Sequence, residues 1–311
     1  ADIAVVPSTL VGENLLNAAL GIGPGAGVVT DALHYDGSLA LYGELRRRGA
    51  PVTVVRPRGD RIDLADVRAA ITRDTRLVAV SLVSGVTGFT YDLAELCALA
   101  HGRGALVYAD IIQAAGATPI DVKASGVDFA ACGTYKWLMG DFGTAFLYVR
   151  PDRLDRLRRV EVGWRQVTRQ ESHVLPFETP GPALGEYELA GGAAGLFEAS
   201  TPAWGALAVA QASLDYILGL GVEAIARARQ PLIDHLQEAL PRLGFQPLTP
   251  RGARGPIVAF AQRDAGARHG ERLAAAGLRI STYPHRIRIS PSVYNTPEEV
   301  ARLVDLLAAP A

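Results

Sequence analysis

The chain has 311 residues, 49% hydrophobic and 20% charged, and its 31 Lys and Arg against 32 Asp and Glu leave a net charge of −1. Length and apolar content allow a large buried core in two domains or one large one, while the balanced charge, with no basic run or interleaved basic and aromatic patch, excludes nucleic acid and a membrane surface as expected partners. No apolar run reaches the roughly 18–20 residues of a membrane span and no signal-peptide pattern opens the chain, so a cytoplasmic location is expected.

The chain opens directly on a core-type strand, Ile3 to Val6, and this abrupt start predicts that an upstream segment is missing. A helix follows from Leu10 to Leu20, signalled by Ser8 and Thr9 at its start. Strands at Val28 to Thr30, Val52 to Arg56, Arg76 to Val83 and Ala105 to Ala109 alternate with helices at Ser38 to Arg48, Asp63 to Thr72 and Asp92 to Arg103. The strands are β-branched and too apolar to have a wet face, which predicts an α/β fold, a mainly parallel sheet with helices on both sides. Phe129 to Cys132 and Thr144 to Val149 extend the sheet towards seven strands.

Beyond Arg150 the pattern changes, and the Gly-, Pro- and Glu-rich stretch from Val160 to Pro202 predicts long ordered loops. Helices are expected at Trp204 to Gly219, Val222 to Leu243, Arg268 to Ala276 and Pro297 to Ala308, with strands at Ile257 to Ala261 and Arg286 to Ser290. This mixture predicts a smaller C-terminal α+β domain at 201–311, after a large domain at 1–200.

Two residues stand out. Lys136 is one of only two lysines, and it lies between Tyr135 and Trp137, where solubility is no reason for it. Lysine, unlike arginine, loses its proton when desolvated and then acts as a nucleophile or Schiff base. Asp110 ends a strand 26 positions earlier. It either caps the next turn or is a buried carboxylate that keeps a heteroaromatic nitrogen protonated. Ligands in parallel sheets bind outside the carboxyl ends of the strands, where Thr9, Tyr35, Ser84, Asp110 and Lys136 are all expected. The two cysteines, Cys97 and Cys132, are too few for a disulfide framework. The six histidines lack metal-ligand spacing. "GIGPGA" at 21–26 lies between helix and strand, the reverse of a dinucleotide-binding motif.

The run Asp110-Ile-Ile-Gln113-Ala-Ala-Gly116, then Asp121-Val, Gly126-Val-Asp128-Phe, Lys136 and Gly143-Thr-Ala-Phe-Leu-Tyr-Val, with "RIRISPSVYNTPEEV" near the end, resembles the class V aminotransferase family of fold type I pyridoxal-phosphate enzymes. The resemblance implies that Lys136 holds pyridoxal 5'-phosphate as a Schiff base, Asp110 pairs with the pyridine nitrogen and Gln113 bonds the phenolic oxygen. Ser8 and Thr9 match the phosphate-binding turn, where a helix N-terminus favours an anion, and one further phosphate hydroxyl comes from Thr134 or is lost. Tyr35 matches the ring stacked on the cofactor; a shift of one position gives that role to His34. Ser200 and Thr201 match a pair that reaches the phosphate of the neighbouring subunit, which implies a homodimer. Arg288 matches the arginine that clamps the substrate carboxylate; the alternative is a solvated strand edge carrying surface arginines.

Around Lys136 the chain reads Gly133-Thr134-Tyr135 where the family often has Ser-x-His. Between Phe260 and Arg288 there is no cysteine, where desulfurases of the family carry their catalytic one. The expected activity is therefore aminotransferase or carbon–sulfur lyase chemistry on an amino acid, not persulfide-forming desulfuration. The alternatives are an epimerase of the isopenicillin N epimerase-like branch and a catalytically silent scaffold.

Overall fold

The protein is described by a computed structural model that covers residues 2–171, 176–177 and 186–309. In chain order its elements are β1 (Ile3–Val6), α1 (Thr9–Ala19), β2 (Gly27–Asp31), α2 (Asp36–Arg47), β3 (Val52–Val55), α3 (Leu64–Ala70), β4 (Thr75–Ser81), α4 (Leu93–His101), β5 (Leu106–Asp110), α5 (Val122–Ser125), β6 (Phe129–Gly133) and β7 (Ala145–Val149). They continue with β8 (Val167–Glu171), β9 (Glu186–Leu189), α6 (Gly192–Phe197), α7 (Trp204–Leu220), α8 (Val222–Arg242), β10 (Gln246–Pro247), β11 (Val258–Ala261), α9 (Ala265–Ala275), β12 (Ser281–Tyr283), β13 (Arg286–Ile289) and α10 (Pro297–Ala308).

The first sheet has seven strands in the order β1-β7-β6-β5-β4-β2-β3. The run from β3 to β6 is parallel, and β7 is antiparallel to both β6 and β1. Every residue of β2 and β6 is buried, as expected of strands covered on both faces. Alternate residues feed two cores: Val29, Val78, Val80 and Val107 pack with Leu96 and Cys97 of α4, while Val28, Leu77, Ala79 and Tyr108 pack with Leu16 of α1 and Tyr42 of α2. This period-2 partition is what gives the apolar strands two helical layers.

A second sheet, β10-β11-β13-β12, is antiparallel throughout. Ile287 and Ile289 of β13 join Leu232 and Leu236 of α8 and Leu303 of α10 in a separate core. Among the described residues no single helix is long and apolar enough to cross a membrane.

The stretch from Val160 to Pro202 is not only loop. It contains the antiparallel β8–β9 pair and α6, and residues 172–175 and 178–185 of it lie outside the described residues. The Glu186–Leu189 strand is largely exposed, so it lacks the apolar face that makes a strand visible as alternation.

Candidate active site

The carboxyl ends of β2, β4, β5 and β6 open on one side of the large sheet, next to the amino end of α1. Tyr283, Arg286 and Arg288 of the second sheet face them, and together these segments line a cavity of about 470 Å3. Ser8, Thr9, His34, Tyr35, Asp110, Gln113, Lys136 and Arg288 all line it.

At α1, the Ser8 hydroxyl accepts from the Val11 amide at 3.1 Å. The first amides of the helix, those of Thr9 and Leu10, have no intrahelical acceptor and leave an anion-favouring end beside the cavity. The Thr9 hydroxyl accepts from the Gly133 amide at 2.8 Å, fixing this end of α1 to the end of β6.

Asp110 is 3% exposed, and its Oδ1 accepts from the Ile112 amide at 2.9 Å. Burial raises its pKa from 3.8 to about 6, against the opposing pull of His34 and the Ile112 amide. Lys136 follows β6 at the solvent side of the cavity, and among the described residues its amine has no hydrogen-bond or ion-pair partner. The surrounding protein still strips enough water to lower its pKa, with Arg288 adding to the effect and Asp110 opposing it.

Gln113 accepts through Oε1 from the Trp137 indole at 3.0 Å, which assigns its amide and leaves the Nε2 donors for the cavity side. Gly85 completes this wall; a Cβ there would lie 3.2 Å from Gln113 Nε2 and 3.7 Å from an Arg288 nitrogen. Arg288 donates to the Gly85 carbonyl at 2.7 Å and to the Ser281 hydroxyl at 3.0 Å, and its Nε is buried without a partner. Its strand lies inside the second sheet, between β11 and β12, so the solvated-edge alternative does not hold.

The structure separates Tyr35 from His34. His34 is fully buried beneath the cavity, with Nδ1 2.8 Å from Ser81 Oγ and Nε2 3.3 Å from Glu13 Oε1. Burial disfavours its charge, but Glu13 outweighs this and raises its pKa, helped by Asp110. Tyr35 is 53% exposed and presents a free ring at the mouth.

Thr134 is a correction. It is fully buried and does not line the cavity; its hydroxyl lies 2.6 Å from the Asp141 carbonyl and 3.1 Å from that of Thr144, so it closes the turn after β6. Ser200 and Thr201 are exposed and lie outside this chain's cavity.

The structure also brings in residues that sequence reasoning missed: Glu13, Ser81, Gly85, Tyr135, Tyr283 and Arg286. Glu13 is fully buried and accepts from Ser38 Oγ at 2.5 Å and from the Tyr42 hydroxyl at 2.6 Å. Its signal was available, since it shares the inward stripe of α1 with Thr9 and Leu16, where a glutamate is out of place.

The description "Aminotransferase class-V" belongs to the family model that matches residues 8–303. A cysteine desulfurase of Klebsiella pneumoniae is 30% identical over 97% of this chain and 76% of its own length. YcbU of Bacillus subtilis, an uncharacterized aminotransferase, is 28% identical over 80% of this chain and 63% of its own. Among solved structures, a cystine C–S lyase in complex with its product cysteine persulfide superposes with a TM-score of 0.84 at 24% identity, covering 99% of this chain and 82% of that one. With the family match over nearly its whole length and the fold to go with it, the chain belongs to the class V aminotransferase family of pyridoxal-phosphate-dependent enzymes.

Proposed function

We propose that the protein uses pyridoxal phosphate to break a bond at Cα or Cβ of an amino acid, by amino transfer or by carbon–sulfur elimination, without a cysteine nucleophile. The observation that carries this reading is the convergence of Lys136, Asp110, Gln113 and Arg288 on one cavity whose volume suits a small-molecule site.

The residues fit the cofactor. A carboxyl as deeply buried as Asp110, with a single amide donor and no ion pair among the described residues, would be ionised by a paired cation, and a protonated pyridine nitrogen is such a cation. Gly85 leaves room for a planar group against Gln113. Lys136 is the attachment point, the amide end of α1 takes the phosphate beside Ser8 and Thr9, Gln113 donates to the phenolic oxygen and Tyr35 covers the ring. When bound, pyridoxal phosphate supplies an electron sink for the pair left on Cα. Arg288 holds the substrate carboxylate through its planar donor fork. With the cofactor and substrate bound, Lys136 would take the Cα proton and return it, a role its lowered pKa favours. Glu13 and His34 work from below, where Glu13 lies 3.3 Å from the imidazole and raises its pKa against burial.

The absence of a thiol step is supported by both cysteines. Cys97 and Cys132 are free and buried, and burial pushes the Cys97 thiol up to about 12 and Cys132 higher still. The test is a panel of amino acids scored for keto acid, sulfide, ammonia and loss of Cα deuterium, run on the native protein and on a Cys97→Ala, Cys132→Ala variant. Activity within about twofold is expected, since neither thiol reaches the cavity. A tenfold or greater loss, with a persulfide trapped on either cysteine of the native protein, would overturn the thiol-free reading, and deuterium exchange without net product would point to epimerisation.

The large unit, 1–200, would carry the cofactor and the smaller one, 201–311, the substrate clamp; two sheets with separate cores support this division. A homodimer is supported by an apolar surface next to the cavity. Phe142, 73% exposed, stacks on Tyr135 at 4.9 Å, and Trp204, 61% exposed, follows Ala203, which neighbours Gly143. Ser200 and Thr201 lie just before this patch, free to reach a second subunit. A Phe142→Asp, Trp204→Asp variant is expected to run as a monomer in light scattering and to bind pyridoxal phosphate about tenfold more weakly, as loss of the partner's hydrogen bonds to phosphate requires. A monomeric native protein with full cofactor affinity would exclude the dimer.

A further inference from the structure

Arg286 has no place in the chemistry above, yet it lines the same cavity as Arg288. The two side chains share one face of β13, because Ile287 and Ile289 take the other and are buried at 0% and 4% exposure. Arg286 is held in two ways: its guanidinium sits over the Tyr283 ring at 4.0 Å, and one terminal nitrogen donates to the Val86 carbonyl at 3.0 Å. Tyr283 is its cross-strand partner on β12, so stack and strand pairing reinforce each other. Among the described residues no carboxylate pairs with Arg286, and its Nε and second terminal nitrogen have no partner.

The cavity's own acids do not supply the missing counter-charge. Asp110 lies at the end of β5 and serves the cofactor ring in the reading above, and Asp36 is exposed in the first turn of α2. An arginine stacked in a cavity, with open donors and no counter-ion, is built for an incoming anion. The spacing indicates which one. The Arg286 and Arg288 backbones stand two residues apart on a strand, about 6.6 Å at the usual rise, and their guanidiniums donate to the consecutive carbonyls of Val86 and Gly85, so one small dicarboxylic amino acid can reach both.

We propose that Arg286 is a specificity residue that binds a second anionic group, so that the preferred substrates are α-amino acids with an acidic side chain. The inference rests on Arg288 holding the α-carboxylate. With one carboxylate on Arg288, the side chain points along β13 to Arg286, and a neutral side chain leaves that guanidinium unpaired.

The experiment uses protein saturated with pyridoxal phosphate. Calorimetry compares glutarate with valerate as unreactive probes, and kinetics compare glutamate, aspartate and cysteate with norvaline. The native protein is expected to bind glutarate at least about tenfold more tightly than valerate, the gain of one charge-assisted pair. Arg286→Gln removes that preference and leaves valerate and norvaline within about twofold, while Arg286→Lys keeps part of it because the charge remains. A cysteate preference equal to that for glutamate assigns the site to anions in general, and one confined to glutamate assigns it to carboxylates; both support the role. Three results overturn it: no glutarate preference in the native protein, equal loss for acidic and neutral ligands in both variants, or weakened cofactor binding as the main effect of Arg286→Gln. A protein that forms no cofactor absorbance band fails the preceding reading instead, and glutarate calorimetry on that same protein still decides whether Arg286 binds the second anion.

Discussion

Replacing Lys136 with alanine lowers amino-acid turnover by about 10²- to 10⁴-fold, the loss typical of removing a positioned proton carrier. The amine has no other partner in the described structure, and the side chain is exposed, so the fold does not depend on it. Stability is expected to change by no more than about 0.5 kcal/mol. Lys136→Arg is the sharper test. It preserves the charge and the long stem but cannot give up its proton, so it is as inactive as the alanine variant. The native protein should gain activity with rising pH along a limb below the usual lysine range, because surrounding protein depresses this pKa and only the neutral amine accepts a proton. Borohydride reduction of the cofactor-loaded protein, followed by peptide mapping, checks the assignment; an adduct on Lys123, or none on Lys136, removes it.

Replacing Asp110 with asparagine has opposite consequences with and without cofactor. In the cofactor-free protein the Asp110 pKa is about 6 against an ordinary 3.8, with burial as the main cause. The folded chain therefore holds this proton to higher pH than the unfolded chain does. Below about pH 4 both states are protonated and the group is neutral in effect; between about 4 and 6 stability falls as pH rises, by roughly 3 kcal/mol in total at neutrality. Asp110→Asn keeps the shape of the side chain and never ionises. The cofactor-free variant should thus be the more stable protein at pH 7 and equal to native at pH 4. With pyridoxal phosphate the order reverses, since the protonated ring loses its counter-charge. Cofactor affinity and turnover are expected to drop about 100-fold or more, the equivalent of the same roughly 3 kcal/mol. Denaturant melts at pH 4 and pH 7, with and without cofactor, measure all four corners. If cofactor stabilises the Asp110→Asn variant as much as the native protein, Asp110 does not face a ring nitrogen.

Lys136 and Asp110 stand out in the sequence because each is a costly type at the end of an apolar strand, and strand ends in a parallel sheet share one side. Gln113, Ser8, Thr9 and Arg288 are picked out by the resemblance to the family, and all reach the cavity. Thr134 did not, although it is only two residues from Lys136, because the turn after β6 claims its hydroxyl for two carbonyls. Distance along the chain is a poor guide where a turn has backbone groups to satisfy.

Arg286 and Glu13 show the other side of this limit. In the sequence Arg286 is one of many arginines, and its neighbour in space, Val86, is 200 residues away. Glu13 is legible as a glutamate on the inward stripe of α1, but its partners Ser38, Tyr42 and His34 are set only when α1 packs into a dry interior. By itself, the sequence determined the alternating α/β order, the covered parallel strands and the lysine–aspartate pair, because periodicity and residue chemistry are local properties, and its spaced motifs carried the resemblance to the family. Tertiary structure alone decided that β13 is an interior strand, that His34 is buried against Ser81 and Glu13 while Tyr35 stands exposed, and that Arg286 is stacked on Tyr283 in the same cavity as Arg288. Those outcomes depend on which distant segments dehydrate one another, and burial of that kind is a property of the packed chain.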